Sequence, residues 1–268
     1  MSDRTTAPAR LSSGQERLLW LHELAPEHGG YHLPLILRFA GEVGTQAMSG
    51  VLDQLVARHA VLSSRCARDE TGSTFQVPEP GFRVPLTRRR ESRPGEWQEI
   101  AGRALAEPFA LFAAPPVRAV IVDCADGSSV VVLVMHHLAC DGVSLWTLTE
   151  DILALRRAAR TGEPARLVPV TGTYADFAHA EQAGLDEETT ESRLAYWRRE
   201  LAGMEVASLP GDLPVQRPGT TAHQRAFSLS AAHTRALEEL AGRHRSPLTS
   251  AIGAAFQSWL VRHTGQCD

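Results

Sequence analysis

The feature that most constrains the fold of this 268-residue chain is a run of apolar residues, 130–135, that leads directly into two histidines. The run is far shorter than the roughly 20 residues that a membrane-spanning helix needs. Its length and its valine content favour a strand that is buried in a sheet. The polar residues that follow the run therefore stand at the rim of that sheet, where α/β proteins bind ligands.

Helix and strand patterns alternate along the chain, which places it in the α/β or mixed α+β class. Ser12 or Ser13 caps the first predicted helix, and Glu16 lies three residues after Ser13, as in a capping box. The last predicted helix, residues 247–263, is apolar on most faces and is expected to be buried. Prolines and glycines at residues 209–221 predict a linker. The predicted helices are residues 11–21, 45–59, 95–107, 142–160, 174–183, 187–201, 230–244 and 247–263, and the predicted strands are residues 33–39, 61–65, 74–77, 82–86, 117–123, 130–136 and 224–229.

Composition and charge exclude several classes of function. The chain carries 27 Lys and Arg against 31 Asp and Glu, a net charge of −4, so we expect no nucleic-acid partner. The polar leader, residues 1–10, has no apolar segment that resembles a signal peptide. Four widely spaced cysteines without a CxxC pair favour reduced thiols over a zinc site or disulfides. These observations predict a cytoplasmic protein with no membrane segment.

Two adjacent histidines on one strand point to opposite faces of the sheet, so only one of them faces a given cavity. This geometry disfavours a metal shared by His136 and His137, and Asp141 is the single further ligand nearby. Asp141 can hold the loop by accepting hydrogen bonds from backbone N–H groups or from a distant arginine. Gly142 permits a positive φ or a close approach to a ligand. The alternative is that both histidines are core residues that end a strand.

The residues from His136 to Gly142 match the HHxxxDG motif of the condensation domains of nonribosomal peptide synthetases. The resemblance extends over essentially the whole chain, because further family motifs occur in the family's order. Residues 11–21 resemble the opening motif, residues 58–62 the RHExLR segment, residues 108–118 the PF…PLLR stretch, residues 174–178 the Y-x-D-(F/Y)-A motif, and Tyr196 with Trp197 the YW pair. Ala60, Ser63 and Cys66 depart from the usual Glu, Arg and Phe of the second of these motifs.

The resemblance implies a chloramphenicol-acetyltransferase-like fold of two similar lobes, each with a mixed sheet flanked by helices. It implies domain boundaries of 11–172 for the N-terminal lobe, 173–222 for crossover helices and a linker, and 223–268 for the beginning of a truncated second lobe. The family forms an amide bond between a carrier-bound acyl thioester and an amine acceptor. It binds no cofactor directly, since its substrates are attached as thioesters to the 4′-phosphopantetheine of donor and acceptor carrier domains.

The resemblance also implies residue roles. His137 is the catalytic residue that faces the tunnel, where it accepts a proton from the amine, orients the amine or stabilises the tetrahedral intermediate. His136 is the inward-packed partner, and Asp141 holds the loop. The N–H of Gly142 or the hydroxyl of Ser144 contacts the oxyanion. No metal is expected, and Cys140 is interpreted as a packed residue rather than a nucleophile.

Two alternatives to amide formation stay open at this point. Epimerisation domains and related acyltransferases resemble the same motif, although the opening helix and residues 174–178 favour condensation. A non-catalytic half-domain, which folds alone or pairs with a missing lobe or with another copy of the chain, is the second alternative. Its motivation is that the family continues beyond the position of Asp268.

Overall fold

The structure, a computed structural model, describes residues 7–184, 186–204 and 227–266. The strands in chain order are β1 (Ala9–Arg10), β2 (His32–Phe39), β3 (Ser64–Arg68), β4 (Thr74–Pro78), β5 (Leu86–Arg90), β6 (Val117–Asp123) and β7 (Ser129–His136). The larger sheet has the order β2-β7-β6-β5, in which β7 is antiparallel to both neighbours and β5 is parallel to β6. The smaller sheet is antiparallel, with the order β1-β4-β3.

Helices alternate with the strands along the chain, as the sequence pattern predicts. They are α1 (Ser13–Leu24), α2 (Thr45–Arg58), α3 (Trp97–Ala106), α4 (Gly142–Thr161), α5 (Tyr174–Ala183), α6 (Glu187–Glu200), α7 (Ala231–Arg243) and α8 (Leu248–Thr264). Each predicted helix is therefore confirmed, with shifts of a few residues at the ends. The mixed α/β class is confirmed as well.

Strand β7 is buried at every position because helices cover both faces of the central sheet. The odd-numbered side chains from 131 to 135 join a core with α2 and α4, whereas the even-numbered ones from 130 to 134 join a second core with α1 and α3. Side chains alternate along a strand, so this parity continues into the motif. His136 therefore follows the face of α1 and α3, and a side chain at 137 follows the face of α2 and α4.

The strand predicted at residues 61–65 begins three residues later, as β3. Ala60–Ser63 form a 3₁₀ turn, and β3 begins at Ser64. The hydroxyls of Ser63 and Ser64 donate to the carbonyl oxygen of Ala60 over 3.1 and 2.7 Å. Hydrogen bonds between a side chain and its local backbone compete with strand pairing, and here they close the turn.

The strand predicted at residues 82–86 lies further along the chain, at β5. Pro85 has no N–H to donate, so the strand pairs with β6 through both its N–H and its C=O groups only after that residue. The carbonyl of Pro85 still accepts from the N–H of Ala119 at 2.8 Å, which places the strand beside β6.

The chain divides into two compact units, Met1–Glu187 and Glu188–Asp268. In the first unit α5 is tied to the start of α1, because Gln182 Nε2 donates to the carbonyl of Leu11 over 2.7 Å. Helix α5 therefore packs with the first unit, although the predicted lobe boundary at residue 172 stays a prediction. In the described residues no helix combines the length and the apolar character that crossing a membrane requires.

In the second unit α7 packs against α8. The expected burial of the last helix is wrong for the residues that the structure describes: Ala251 is buried, while Ile252, Phe256 and Trp259 are each about half exposed. Apolar residues on most faces of a helix need a partner on each face, and α7 covers one. The predicted linker at 209–221 and the first part of the strand predicted at 224–229 lie outside the described residues, and residues 227–229 form no strand.

Candidate active site

The motif loop begins where β7 ends. The N–H of His137 donates to the carbonyl of Tyr31 over 2.7 Å, so the chain stays anchored beside the start of β2 for one residue beyond the strand. Leu138, Ala139 and Cys140 then turn the chain into α4. The carbonyl of His136 accepts from the N–H of Ala139 at 2.9 Å and closes this turn.

His136 is buried, with 1% of its surface exposed, and its ring holds the loop from inside. Its Nδ1 accepts the N–H of Leu138 over 3.1 Å. Two further buried histidines, His22 and His32, approach it edge-on, with ring centroids 5.2 and 5.8 Å away. Burial first, and then the neighbouring histidines, lower the pKa of His136 to about 3. Burial also lowers the pKa of His22 and of His32.

This histidine cluster predicts a loss of stability in mild acid. An unfolded histidine takes up a proton as the pH falls through about 6.5, whereas His136 in the folded protein stays neutral until about pH 3. Its contribution is therefore fully present above pH 6.5 and falls by about 2 kcal/mol at pH 5. Denaturant unfolding between pH 7 and pH 5 measures this loss.

The control for the acid prediction is His136→Asn, which keeps an acceptor near the position of Nδ1 and removes the titrating ring. We expect this variant to be less stable at pH 7 but to lose less free energy of unfolding between pH 7 and pH 5. An unchanged pH dependence in the variant would contradict the prediction.

His137 lies on the opposite face and lines a cavity of about 510 Å³, as the strand parity requires. It is half-buried, so its ring is accessible from the cavity. The cavity lies within the first unit, between the motif loop, α1, the end of α2 and the start of α5. Its polar lining includes Arg17, Arg58, His59, Asp141, Ser144 and Tyr174.

Asp141 caps α4. Its Oδ1 accepts from the N–H and from the hydroxyl of Ser144, over 2.8 and 2.7 Å, and the N–H of Asp141 donates to the Ser144 oxygen over 3.1 Å. The Ser144 hydroxyl, followed by the backbone, lowers the pKa of Asp141. The carboxylate thus holds the loop through backbone groups, which was one of the two arrangements open from the sequence.

The roles of the Ser144 hydroxyl and the Gly142 N–H as oxyanion contacts stay predictions. In this structure the hydroxyl proton of Ser144 goes to Asp141. Gly142 is the first residue of α4 and does not use a positive φ, so the close approach to a ligand is the alternative that stays a prediction. A Cβ at Gly142 would meet nothing within 4 Å, so the space beside it is open.

Cys140 lines the cavity but is itself buried, and burial raises the pKa of its thiol to about 12. A thiol with so high a pKa supplies almost no thiolate near neutral pH. Its interpretation as a packed residue is therefore confirmed. In the described parts of the chain, no group of three His, Cys, Asp or Glu side chains is arranged to hold a metal ion.

Gln15, which was not among the predicted site residues, joins α1 to the motif loop. The side chain is buried, its Nε2 donates to the carbonyl of Leu138 over 3.2 Å, and its Oε1 accepts the N–H of Ser12 over 3.1 Å. Because Ser12 Oγ accepts the N–H of Gln15 in return, the capping box uses Ser12 and Gln15. The assignment of Ser13 and Glu16 to that box is wrong. The sequence signal that could have revealed it was the position of Gln15, three residues after Ser12, which is the spacing of a capping box.

Gln15→Leu is expected to lower the free energy of unfolding by about 2 kcal/mol, because it leaves the Ser12 N–H and the Leu138 carbonyl without this partner. The matched control is Glu16→Leu, the same new side chain at an exposed neighbouring position, for which we expect a change within about 0.5 kcal/mol. Denaturant unfolding of both variants measures the difference. Equal stabilities of the two variants would show that Gln15 does not hold the loop.

A second missed group consists of Arg58, His59 and Asp151. Oδ2 of Asp151 lies 2.8 Å from Nε of Arg58 and 2.7 Å from Nε2 of His59. Asp151 is 4% exposed although it lies on the apolar stripe of α4 beside Leu148 and Ile152. A carboxylate on an otherwise apolar helix face was the signal that could have revealed this group.

A buried histidine beside a cavity histidine, followed by a capping aspartate, defines an HHxxxDG-type site on a mixed sheet. A family model for the condensation domain matches residues 6–268. The chain is 31% identical over 268 residues to a linear gramicidin synthase from Brevibacillus parabrevis, an alignment that covers 96% of this chain and 3% of that protein. It is 32% identical over 269 residues to phosphinothricin tripeptide synthetase PhsC of Streptomyces viridochromogenes, covering 97% and 25%. The chain belongs to the condensation domain family.

The fold agrees with a solved member of this family. The first condensation domain of the calcium-dependent antibiotic synthetase superposes with a TM-score of 0.77 at 22% identity, covering 97% of this chain and 61% of that one. This likeness confirms the chloramphenicol-acetyltransferase-like fold that the motif implied. The chain spans less than two thirds of that structure and a quarter or less of the two curated relatives.

Proposed function

We propose that this chain supplies the motif-bearing lobe of a condensation domain that forms amide bonds. The donor is an acyl thioester on one carrier domain, and the acceptor is an amine, usually an aminoacyl thioester on a second carrier domain. The observation that supports the proposal is the division between the two histidines: His136 is buried and holds the loop, while His137 lines a cavity of about 510 Å³. The 4′-phosphopantetheine arms of the carriers would hold both substrates.

The proposed step joins two carried groups without an enzyme-bound acyl intermediate. The amine nitrogen attacks the thioester carbon, the carbon–sulfur bond breaks, and a proton moves from nitrogen to the departing sulfur. A neutral imidazole carries a nitrogen lone pair that can accept a proton, so His137 is suited to take the proton from the amine and return it to the thiolate. Orienting the amine through a hydrogen bond is the other role that fits its position.

The oxyanion of the tetrahedral intermediate would lie near the first turn of α4. Backbone N–H groups at a helix N-terminus favour a negative charge, and such donors commonly stabilise acyl-transfer intermediates. The N–H of Gly142 fits this role without any rearrangement of a side chain. The Ser144 hydroxyl fits it after exchanging its bond to Asp141 for one to the oxyanion.

The experiment that tests the proposal presents the chain with an acyl donor on one carrier and an aminoacyl acceptor on another. Mass spectrometry of the carriers then identifies the product. We expect an amide-joined product on the acceptor carrier. Inversion of an α-carbon without joining indicates an epimerase, and an ester formed with a hydroxyl acceptor indicates a related acyltransferase.

The same assay separates a catalytic from a non-catalytic role. It is run with the 268-residue chain alone and with the chain mixed with the second lobe of a condensation domain. Product in either mixture supports the proposal. No product in both mixtures contradicts it and favours a non-catalytic half-domain, for which light scattering reports whether two copies of the chain associate.

A further inference from the structure

A second imidazole lines the same cavity as the motif histidine. His59 follows the last residue of α2, and its side chain is 19% exposed, so the ring is partly accessible at the cavity wall. It comes from a different part of the chain than His137, and both lie within the first unit. The proposed amide-forming step gives His59 no role.

The hydrogen bonds of His59 determine which of its nitrogens carries the proton. Nε2 lies 2.7 Å from Oδ2 of Asp151, and the same oxygen accepts from the Arg58 guanidinium over 2.8 Å. A carboxylate paired with a guanidinium accepts hydrogen bonds and has none to donate. Nε2 of His59 is therefore the donor, and the neutral ring carries its lone pair on Nδ1.

Among the described residues, the hydrogen bond of the His59 ring is made through Nε2, so Nδ1 is open as an acceptor. Arg58 lies beside it and donates to Asp151 and to the carbonyl of Val168, and Arg17 on α1 also lines the cavity. Guanidinium groups only donate hydrogen bonds. The next residue, Ala60, lines the cavity with a methyl group alone, so it adds little bulk beside the ring.

We propose that Nδ1 of His59 accepts a hydrogen bond from the acceptor amine and holds that substrate in the cavity that His137 also lines. The inference rests on the proposed function, since it assigns one of the two substrates of that reaction to this atom. The chemistry selects the acceptor because its attacking nitrogen carries N–H bonds, whereas the reacting carbonyl and sulfur of the donor carry none. No bond is made or broken at His59, which acts as a substrate-binding residue.

The test measures binding to the 268-residue chain by isothermal titration calorimetry, with two matched probes. The first is an aminopantetheine that carries glycine through a stable amide, and the second carries an acetyl group and so lacks the amine. We expect the wild-type chain to bind the glycyl probe about tenfold more tightly than the acetyl probe. This is the effect of one hydrogen bond from the charged ammonium form of the glycyl amine to His59. In ¹⁵N spectra the glycyl probe should shift the Nδ1 resonance of His59.

The discriminating variant is His59→Gln, whose amide still donates to Asp151 but which lacks the imidazole lone pair. It should bind both probes equally, with the affinity for the acetyl probe unchanged. The control variant His28→Gln removes a histidine that does not line the cavity and should keep the tenfold preference.

Two results would overturn the inference: a wild-type chain that binds the glycyl probe no better than the acetyl probe, or a His59→Gln variant that keeps the preference. Failure of the proposed function is recognised by a different result, the absence of an amide product in the carrier assay. A chain that forms the amide, and whose preference for the glycyl probe survives His59→Gln, contradicts the inference alone.

Discussion

Replacing His137 with alanine is expected to lower the rate of amide formation by about 10²- to 10⁴-fold, the usual contribution of a positioned acid or base. The loss should fall on kcat rather than on KM, because proton transfer or orientation at the attacking nitrogen acts in the transition state. Folding should persist, since the alanine retains the backbone N–H that donates to Tyr31, and the removed ring lines a cavity instead of filling a core. Steady-state turnover measures this loss. It is recorded with the chain alone or with the chain mixed with a second lobe, whichever forms the amide in the carrier assay.

Two variants accompany this measurement. His28→Ala removes a partly exposed histidine that does not line the cavity and should leave turnover unchanged. His137→Asn keeps a polar side chain but has no basic nitrogen, so it separates orientation from proton transfer. If Asn restores most of the rate, orientation suffices; if it behaves as alanine does, His137 transfers the proton. Near-normal turnover of His137→Ala would contradict the catalytic assignment.

Asp151→Ala is expected to lower the free energy of unfolding by about 3–5 kcal/mol, the cost of breaking a buried ion pair by removing one partner. The Asp151 side chain is 6% exposed and the Arg58 side chain 18%, so water replaces the lost carboxylate poorly. Two groups lose their partner at once, because Arg58 and His59 bind the same oxygen. Denaturant unfolding at pH 7 measures the loss.

An exposed ion pair provides the control for Asp151. Glu23→Ala breaks the pair with Arg68, whose two side chains are 37% and 44% exposed, and should cost at most about 1 kcal/mol. The double variant Arg58→Met with Asp151→Leu removes both charges and should recover much of the stability that Asp151→Ala loses. A single Asp151 variant as stable as the Glu23 variant would show that the buried pair does not stabilise the fold.

Much of the fold could be predicted because its elements carry local signals. The apolar run at 130–135 predicts β7, and the helices predicted at 142–160 and 174–183 match α4 and α5 to within a residue of their observed ends. The errors arise where one pattern suits two conformations. Apolar residues beside serines at 61–65 suit a strand, but hydroxyl bonds to the carbonyl of Ala60 turn the chain into a 3₁₀ segment instead.

Less of the candidate site could be predicted, because only part of it is local. The capping arrangement of Asp141 and Ser144 joins residues three apart, and the placement of the histidines on opposite faces follows from the strand. Gln15 meets the carbonyl of Leu138 across 123 positions of sequence, and no periodicity in either segment encodes that contact.

The sequence by itself determined that the side chains of His136 and His137 lie on opposite faces of the sheet, because successive side chains on any strand alternate. Only the tertiary structure decided what surrounds the second one. Packing α2 against α4 brings His59 to within 2.7 Å of Asp151, although 92 positions separate them. That contact assigns the proton to Nε2 and leaves Nδ1 of His59 as an acceptor, a consequence of three-dimensional packing that no local pattern carries.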